Sequence, residues 1–192
     1  NHRGNISVLA NSGSVMLRGG SRGAGDRYAH LGHGGAYSIG SHVGNIAVLA
    51  DQNILLENIT TGTTALRSYT QLGHGGYASV SAFGHNATIS VATREGDLSL
   101  LAAPNTSQDS YIQLGHGGLD ATGAHRGAMI VRTGNQIVAR AGVGGSEGGG
   151  ANSYVQIGHG GGVSGALPVT PDDYTGNITI TSQIAGTYYD IG

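Results

Sequence analysis

The block Leu31-Gly32-His33-Gly34-Gly35 returns at Leu72 to Gly76 and Leu114 to Gly118 and, with isoleucine leading, at Ile157 to Gly161. A tyrosine stands three residues ahead of each copy, at Tyr28, Tyr69, Tyr111 and Tyr154, and the motif histidines are 41, 42 and 43 residues apart. So regular a period means one supersecondary unit stacked on copies of itself, because such units bury their apolar faces only against neighbours. Arrays supply length and surface and seldom enclose one deep catalytic pocket. The 192 residues read as a single solenoid segment, with repeats at roughly 4–43, 44–85, 86–126 and 127–175 and a partial unit at 176–192.

Each unit opens on a short alternating run: Asn5-Ile6-Ser7-Val8-Leu9-Ala10, Asn45 to Ala50, Thr88 to Thr93, Ala128 to Thr133 and Asn177 to Thr181. The pairs Ile6/Val8, Ile46/Val48, Ile89/Val91, Met129/Val131 and Ile178/Ile180 are two apart and share one strand face. After a Gly or Asn turn comes a second run, marked by Val15/Leu17, Ile54/Leu56, Leu98/Leu100 and Ile137/Ala139. A third is the motif itself, with Ala29/Leu31, Thr70/Leu72, Ile112/Leu114 and Val155/Ile157 on one face. The opposite face carries Tyr28/His30, Tyr69/Gln71, Tyr111/Gln113 and Tyr154/Gln156. Nothing has helical period, so the chain is expected to be all-β.

A parallel β-helix explains the repetition best, since equivalent residues of successive coils then form ladders. A four-and-a-half-blade propeller would not close, and a sandwich has no reason to repeat its sequence. A unit of about 42 residues is expected to divide into two coils of about 21. Successive motif tyrosines would then lie ~10 Å apart, against ~5 Å for one wide coil. The longest interruption, Gly162 to Asp173 with Pro168 and Pro171, is expected to loop out of the stack.

Glycine makes up 37 residues, yet the alternating runs exclude a disordered chain. The nine basic residues are all arginine, scattered, against a net charge of −2, which supports neither a nucleic-acid face nor a polybasic membrane anchor. No apolar run reaches the ~18 residues of a membrane helix. Without cysteine there are no disulfides or thiolate metal sites. Asn1 in place of a starting methionine, and no signal peptide, suggests an excised or mature segment.

The Asn5-Ile6-Ser7-Val8 type of strand, a glycine-bounded second strand and then Tyr-x-Gln-Leu/Ile-Gly-His-Gly-Gly together resemble the repeats of filamentous haemagglutinin-type bacterial exoproteins exported by two-partner secretion. The resemblance covers roughly residues 4 to 182. It implies a right-handed parallel β-helix on the cell surface or released from it, serving adhesion, aggregation or biofilm-matrix building.

Eight of the nine histidines fall in two registers: His33, His74, His116 and His159 in the motif, and His2, His42, His85 and His125 beside the first strand, with His30 outside both. Imidazole suits zinc, copper or nickel, so the motif histidines are weak metal candidates. No cysteine or regularly placed carboxylate completes a ligand set, and hydrogen bonding to backbone at a glycine-permitted corner is the expected role. Tyr28, Tyr69, Tyr111 and Tyr154, with Gln71, Gln113 and Gln156, are expected to form exposed or half-exposed contact rows, to which Tyr37 and Tyr77 add aromatic surface. Asn5, Asn58, Asn86, Asn105 and Asn177 begin Asn-x-Ser/Thr triplets and are possible glycosylation sites.

No nucleophile elbow, phosphate loop or zinc-protease helix is present, and Asp172-Asp173 lacks a basic partner, so no enzyme and no cofactor are expected. The function expected is a structural module of a secreted bacterial adhesin or extracellular fibre, self-associating end to end or side by side or meeting surface glycans or proteins. The rivals are a polysaccharide-acting β-helix enzyme and a carbohydrate-binding module. Ice or mineral binding needs a more periodic threonine array than this chain has.

Overall fold

Each repeat of the chain closes one turn. The computed structural model describes residues 1–20, 26–59, 67–81, 84–102, 109–141, 153–162, 174–184 and 187–190. The first coil holds β1 (His2–Arg3), β2 (Ile6–Ala10), β3 (Val15–Gly19) and β4 (Arg27–Leu31). The second holds β5 (His42–Val43), β6 (Ile46–Ala50), β7 (Ile54–Asn58) and β8 (Ser68–Leu72). The third holds β9 (His85–Asn86), β10 (Ile89–Thr93), β11 (Leu98–Ala102) and β12 (Tyr111–Leu114). The fourth holds β13 (His125–Arg126), β14 (Met129–Thr133), β15 (Ile137–Arg140) and β16 (Tyr154–Ile157). After them come β17 (Tyr174–Thr175), β18 (Ile178–Ile184) and β19 (Thr187–Asp190). The described residues include no helix.

Like strands of successive coils pair in parallel and build four sheets: β1-β5-β9-β13-β17, β2-β6-β10-β14-β18, β3-β7-β11-β15 and β4-β8-β12-β16. The exception is β19, which runs antiparallel along the free edge of β18. This is a parallel β-helix. The expected division into two coils per repeat is corrected, because Ile6 pairs directly with Ile46 and Ile46 with Ile89, one full repeat apart. The tyrosine rings agree: Tyr28, Tyr69 and Tyr111 are 4.7 Å apart at each step. A unit makes one wide coil because its four strands differ in sequence, so only the same strand of the next unit offers a matching face.

The period-2 pattern sends one side of each strand inward. Leu31, Leu72, Leu114 and Ile157 stack in register, as do Val8, Val48, Val91, Val131 and Ile180. Together with Ile54, Leu56, Leu98 and Leu100 they form one continuous core that runs through all the coils. Fully burying each such side chain contributes about 1.5–3 kcal/mol before the entropy of ordering is subtracted. The turns are laddered too: the side-chain oxygen of Asn5 accepts the Asn45 backbone N–H at 2.9 Å, and that of Asn45 accepts the Thr88 N–H at 3.0 Å. Asn5 and Asn45, ahead of the first strand in their coils, thus each tie one turn to the next.

Candidate functional site

The motif histidines sit where the last strand of each coil, β4, β8, β12 or β16, ends and the chain turns sharply. Gly115, with φ +149°, shows why the corner needs glycine: a Cβ there would lie 1.8 Å from the Gly158 carbonyl oxygen of the next coil. That close approach stacks the imidazoles of His33, His74, His116 and His159 with ring centroids 5.0, 5.0 and 4.9 Å apart. The backbone N–H groups of His33, His74 and His116 donate to Nδ1 of His74, His116 and His159 at 2.9, 3.0 and 3.2 Å. On the other side, Nε2 of His33, His74, His116 and His159 meets the carbonyl oxygens of Gly4, Gly44, Ala87 and Gly127 at 2.8, 2.7, 3.0 and 2.8 Å. An amide can only donate and a carbonyl can only accept, so His74, His116 and His159 are neutral with the proton on Nε2. Both nitrogens of these three rings are committed to backbone, which leaves no lone pair for a metal. Burial lowers His74 to about 4 and holds His116 well below the ordinary histidine range; His159 is lowered for the same reason.

The second histidine register forms its own column. His2, His42, His85 and His125 are followed by Tyr174 in the fifth position, with centroids 5.1, 4.8, 5.0 and 5.2 Å apart. His42, His85 and His125 are fully buried. Nδ1 of His42 lies 3.0 Å from Nδ1 of His85, so one of the two donates to the other. Burial, reinforced by neighbouring imidazoles, lowers His42 to about 4 and His85 to about 2. Among the described residues no group of three or more His, Asp or Glu side chains is placed to hold a metal ion, in this column or elsewhere.

The tyrosine and glutamine rows lie on the outer face of their sheet but are covered, which corrects the expected contact surface. Tyr69, Tyr111, Gln71 and Gln113 are fully buried, Tyr154 and Gln156 are half-buried, and only Tyr28, at 45% exposure in the first coil, is open to solvent. Beyond the Gly-Gly pair the chain folds back across the outer side of the β4-β8-β12-β16 sheet, so that Ala36, Tyr77 and Leu119 pack on the tyrosine stack. The glutamine amides then become clamps. Nε2 of Gln71 donates to the His74, Gly115 and Gly117 carbonyls at 3.3, 3.3 and 3.0 Å, and Nε2 of Gln113 repeats this toward His116, Gly158 and Gly160. Gln156 keeps its bond to the His159 carbonyl at 3.2 Å. Desolvation raises the Tyr69, Tyr111 and Tyr154 phenols above their ordinary range. His30, which fell outside both registers, holds the glutamine position: it pairs with Gln71 in the sheet and reaches the Gly73 carbonyl at 2.7 Å.

The asparagine candidates separate by burial. Asn58 is 3% exposed and donates to the Ser68 carbonyl, so it is not open to a glycan. Asn5, Asn86 and Asn177 are exposed; Asn105, Asp172 and Asp173 lie outside the described residues.

The aromatic surface that does reach solvent is elsewhere. Tyr37 is 49% exposed, Ile39 81% and Val80 49%, and Ile39 and Val80 are bridged across adjacent coils. Tyr37 meets Tyr77 edge to face at 5.4 Å, and the Arg67 guanidinium lies 6.0 and 5.6 Å from the two ring centres while binding Asp26 at 2.7 Å. Tyr37 and Tyr77 were visible in the sequence as extra aromatics. Their partnership with Arg67 was not, because it depends on how the return segment crosses the sheet. No family model matches the chain, and no match emerges among curated proteins or solved structures.

Proposed function

We propose that this chain is a structural, non-catalytic module of a secreted bacterial surface adhesin or extracellular fibre, acting through a repetitive outer surface. The observation that supports the reading is that the recurring histidines, tyrosines and glutamines are consumed in coil-to-coil bonds. Their repetition builds a stiff rod. Contact then falls to the outer surface, where Tyr37, Ile39 and Val80 cluster and Leu9 and Met16 stand open. Weak contacts repeated along a rigid rod gain strength by multivalency. Association side by side is favoured over end to end at the β19 end, where the reversed strand covers the edge on which another parallel coil of the large sheet would dock. A carbohydrate-binding module is the second reading. It is favoured by a groove of about 370 Å³ along the outer side of the large sheet, lined by Ser7, Leu9, Ala47, Leu49, Ser90 and Ala92.

Pairing Tyr37→Ser with Ile39→Ser is expected to weaken self-association or binding to bacterial cells at least tenfold, about 1.4 kcal/mol, with the circular dichroism spectrum unchanged. Sedimentation and a cell-aggregation assay read the two effects. Unchanged association and aggregation would reject this patch as the contact surface. Cleavage of a polysaccharide by the intact chain would overturn the non-catalytic reading itself.

A further inference from the structure

Both imidazole columns resist a proton: in the motif column adding one breaks a tie between coils, and in the second it buries a charge without a partner. In the motif column, Nδ1 of His74, His116 and His159 already accepts a backbone N–H from the preceding coil, while Nε2 faces a carbonyl. A proton arriving on Nδ1 points at another proton, so the ring must leave its place. In the second column, His42 and His85 share a single proton between Nδ1 atoms 3.0 Å apart, and their buried Nε2 atoms have no hydrogen-bond partner. A second proton on this pair therefore creates an imidazolium whose Nε2–H has nothing to donate to, inside the fully buried part of the stack.

Among the described residues, the titratable groups acting on His42, His85, His74 and His116 are imidazoles. His42 feels His2, His74, His33 and His30, and His85 feels His125, His42, His116 and His74. His74 feels His33 and His30, and His116 feels His74, His159 and His125. The Tyr174 phenol closes the second column against His125. Among the described residues no carboxylate acts on these four rings to stabilise an imidazolium, and each charge added to a column repels the next ~5 Å away.

We propose that the columns make this solenoid acid-releasable: neutral imidazoles lock the coils together at neutral pH, and mild acid unzips the corner along both columns at once. This adds a mode of regulation to the surface module proposed above and is tested by folding alone, whatever partner the outer surface meets. The direction follows from proton linkage. His30, His42 and His74 are lowered to about 4 and His85 to about 2 in the folded chain, chiefly by burial, against about 6.5 when unfolded. Below 6.5 the unfolded chain binds more protons, so stability that is complete above neutrality is lost as pH falls from 6.5 toward 4. Each such imidazole lowers the folded-to-unfolded ratio about 30-fold between pH 7.5 and pH 5, and the factors multiply.

The test is the thermal midpoint and the tyrosine near-ultraviolet circular dichroism of the intact chain between pH 8 and pH 4.5. A companion variant carries His74→Gln and His116→Gln, whose amides keep one acceptor and one donor. The wild type is expected to lose its midpoint steeply and reversibly below pH 6.5. The variant is expected to show a shallower dependence, lacking the roughly 30-fold change at pH 5 that His74 carries and the further part that His116 adds in the same direction. Should the variant fail to fold, imidazole NMR shifts of the wild type decide: in the folded chain the buried rings stay neutral until unfolding begins. A flat wild-type midpoint from pH 7.5 to 5 would overturn the proposal. So would buried rings that protonate near 6.5 with the structure intact.

Discussion

Gly115→Ala is expected to abolish cooperative folding, whereas Gly13→Ala leaves it intact. At Gly115 the backbone holds φ +149°, and a Cβ would sit 1.8 Å from the Gly158 oxygen and 2.6 Å from its carbonyl carbon. Neither partner is a flexible side-chain tip. The Gly115 N–H is tied to the Leu72 carbonyl at 2.9 Å, and the Gly158 N–H to the Leu114 carbonyl at 2.9 Å, so both coils are fixed on either side of the clash. Relief requires the third and fourth coils to part at the corner. That sacrifices the His116 N–H bond to His159 and the Gln113 clamp on Gly158 and Gly160. Each lost bond costs about 1 kcal/mol, and the strained backbone adds about 1–3 kcal/mol. The sum is a large part of the 5–15 kcal/mol typical of a whole domain. At Gly13 an added Cβ meets nothing within 4 Å, so alanine there is expected to shift stability by less than about 1 kcal/mol. Urea unfolding followed by circular dichroism reads both. A Gly115→Ala protein with the wild-type midpoint would contradict the close coil contact.

Tyr111→Ala is expected to cost about 3–5 kcal/mol, the range for removing a buried aromatic ring. Tyr111 is fully buried between Tyr69 and Tyr154, with ring centroids 4.7 and 5.1 Å away. Its hydroxyl donates to the Gln71 side-chain oxygen at 3.3 Å and also bonds the Leu119 backbone, so Tyr111→Phe keeps the ring and gives up hydrogen bonds alone, at about 1–2 kcal/mol. Tyr28→Ala should fall well short of the Tyr111→Ala loss, because Tyr28 is 45% exposed and stacks on one neighbour. An exposed contact row would give a different pattern, with all the tyrosines tolerating alanine within about 0.5 kcal/mol. Denaturant midpoints of the three variants distinguish the two arrangements.

The sequence carried the stack plainly: Ile6/Val8 and its four counterparts are two apart and recur at the repeat length, which is enough to place them on one inward face. The alignment of Leu31, Leu72, Leu114 and Ile157 followed from the same logic. Two features were not legible. Length alone suggests two coils per repeat, yet nothing in the residues recurs at about half a repeat to support them; pairing Ile6 with Ile46 is visible only in the three-dimensional register. The fate of Tyr69 and Gln71 was misjudged because alternation identifies two faces of a strand but not what covers the second. The covering residues Ala36, Tyr77 and Leu119 occupy equivalent places after each Gly-Gly pair, and that recurrence was the available signal. For the histidines, the corner role followed from the flanking glycines, while the neutral Nε2-protonated form required the positions of both backbone partners.

The central claim, that each repeat is one coil stacked in register on the next, is tested most directly by an engineered disulfide in a chain that has no cysteine of its own. Ser7 and Ala47 pair across β2 and β6 and are both exposed. Neighbouring parallel strands lie ~4.8 Å apart, inside the range that a disulfide bridges. With Ser7→Cys and Ala47→Cys together, mild oxidation is expected to give a quantitative intramolecular bridge, located by peptide mass. With Ser7→Cys and Ser90→Cys, two coils and ~10 Å apart, none is expected. Failure of the first pair to close, or closure of the second in its place, would contradict the one-coil stack.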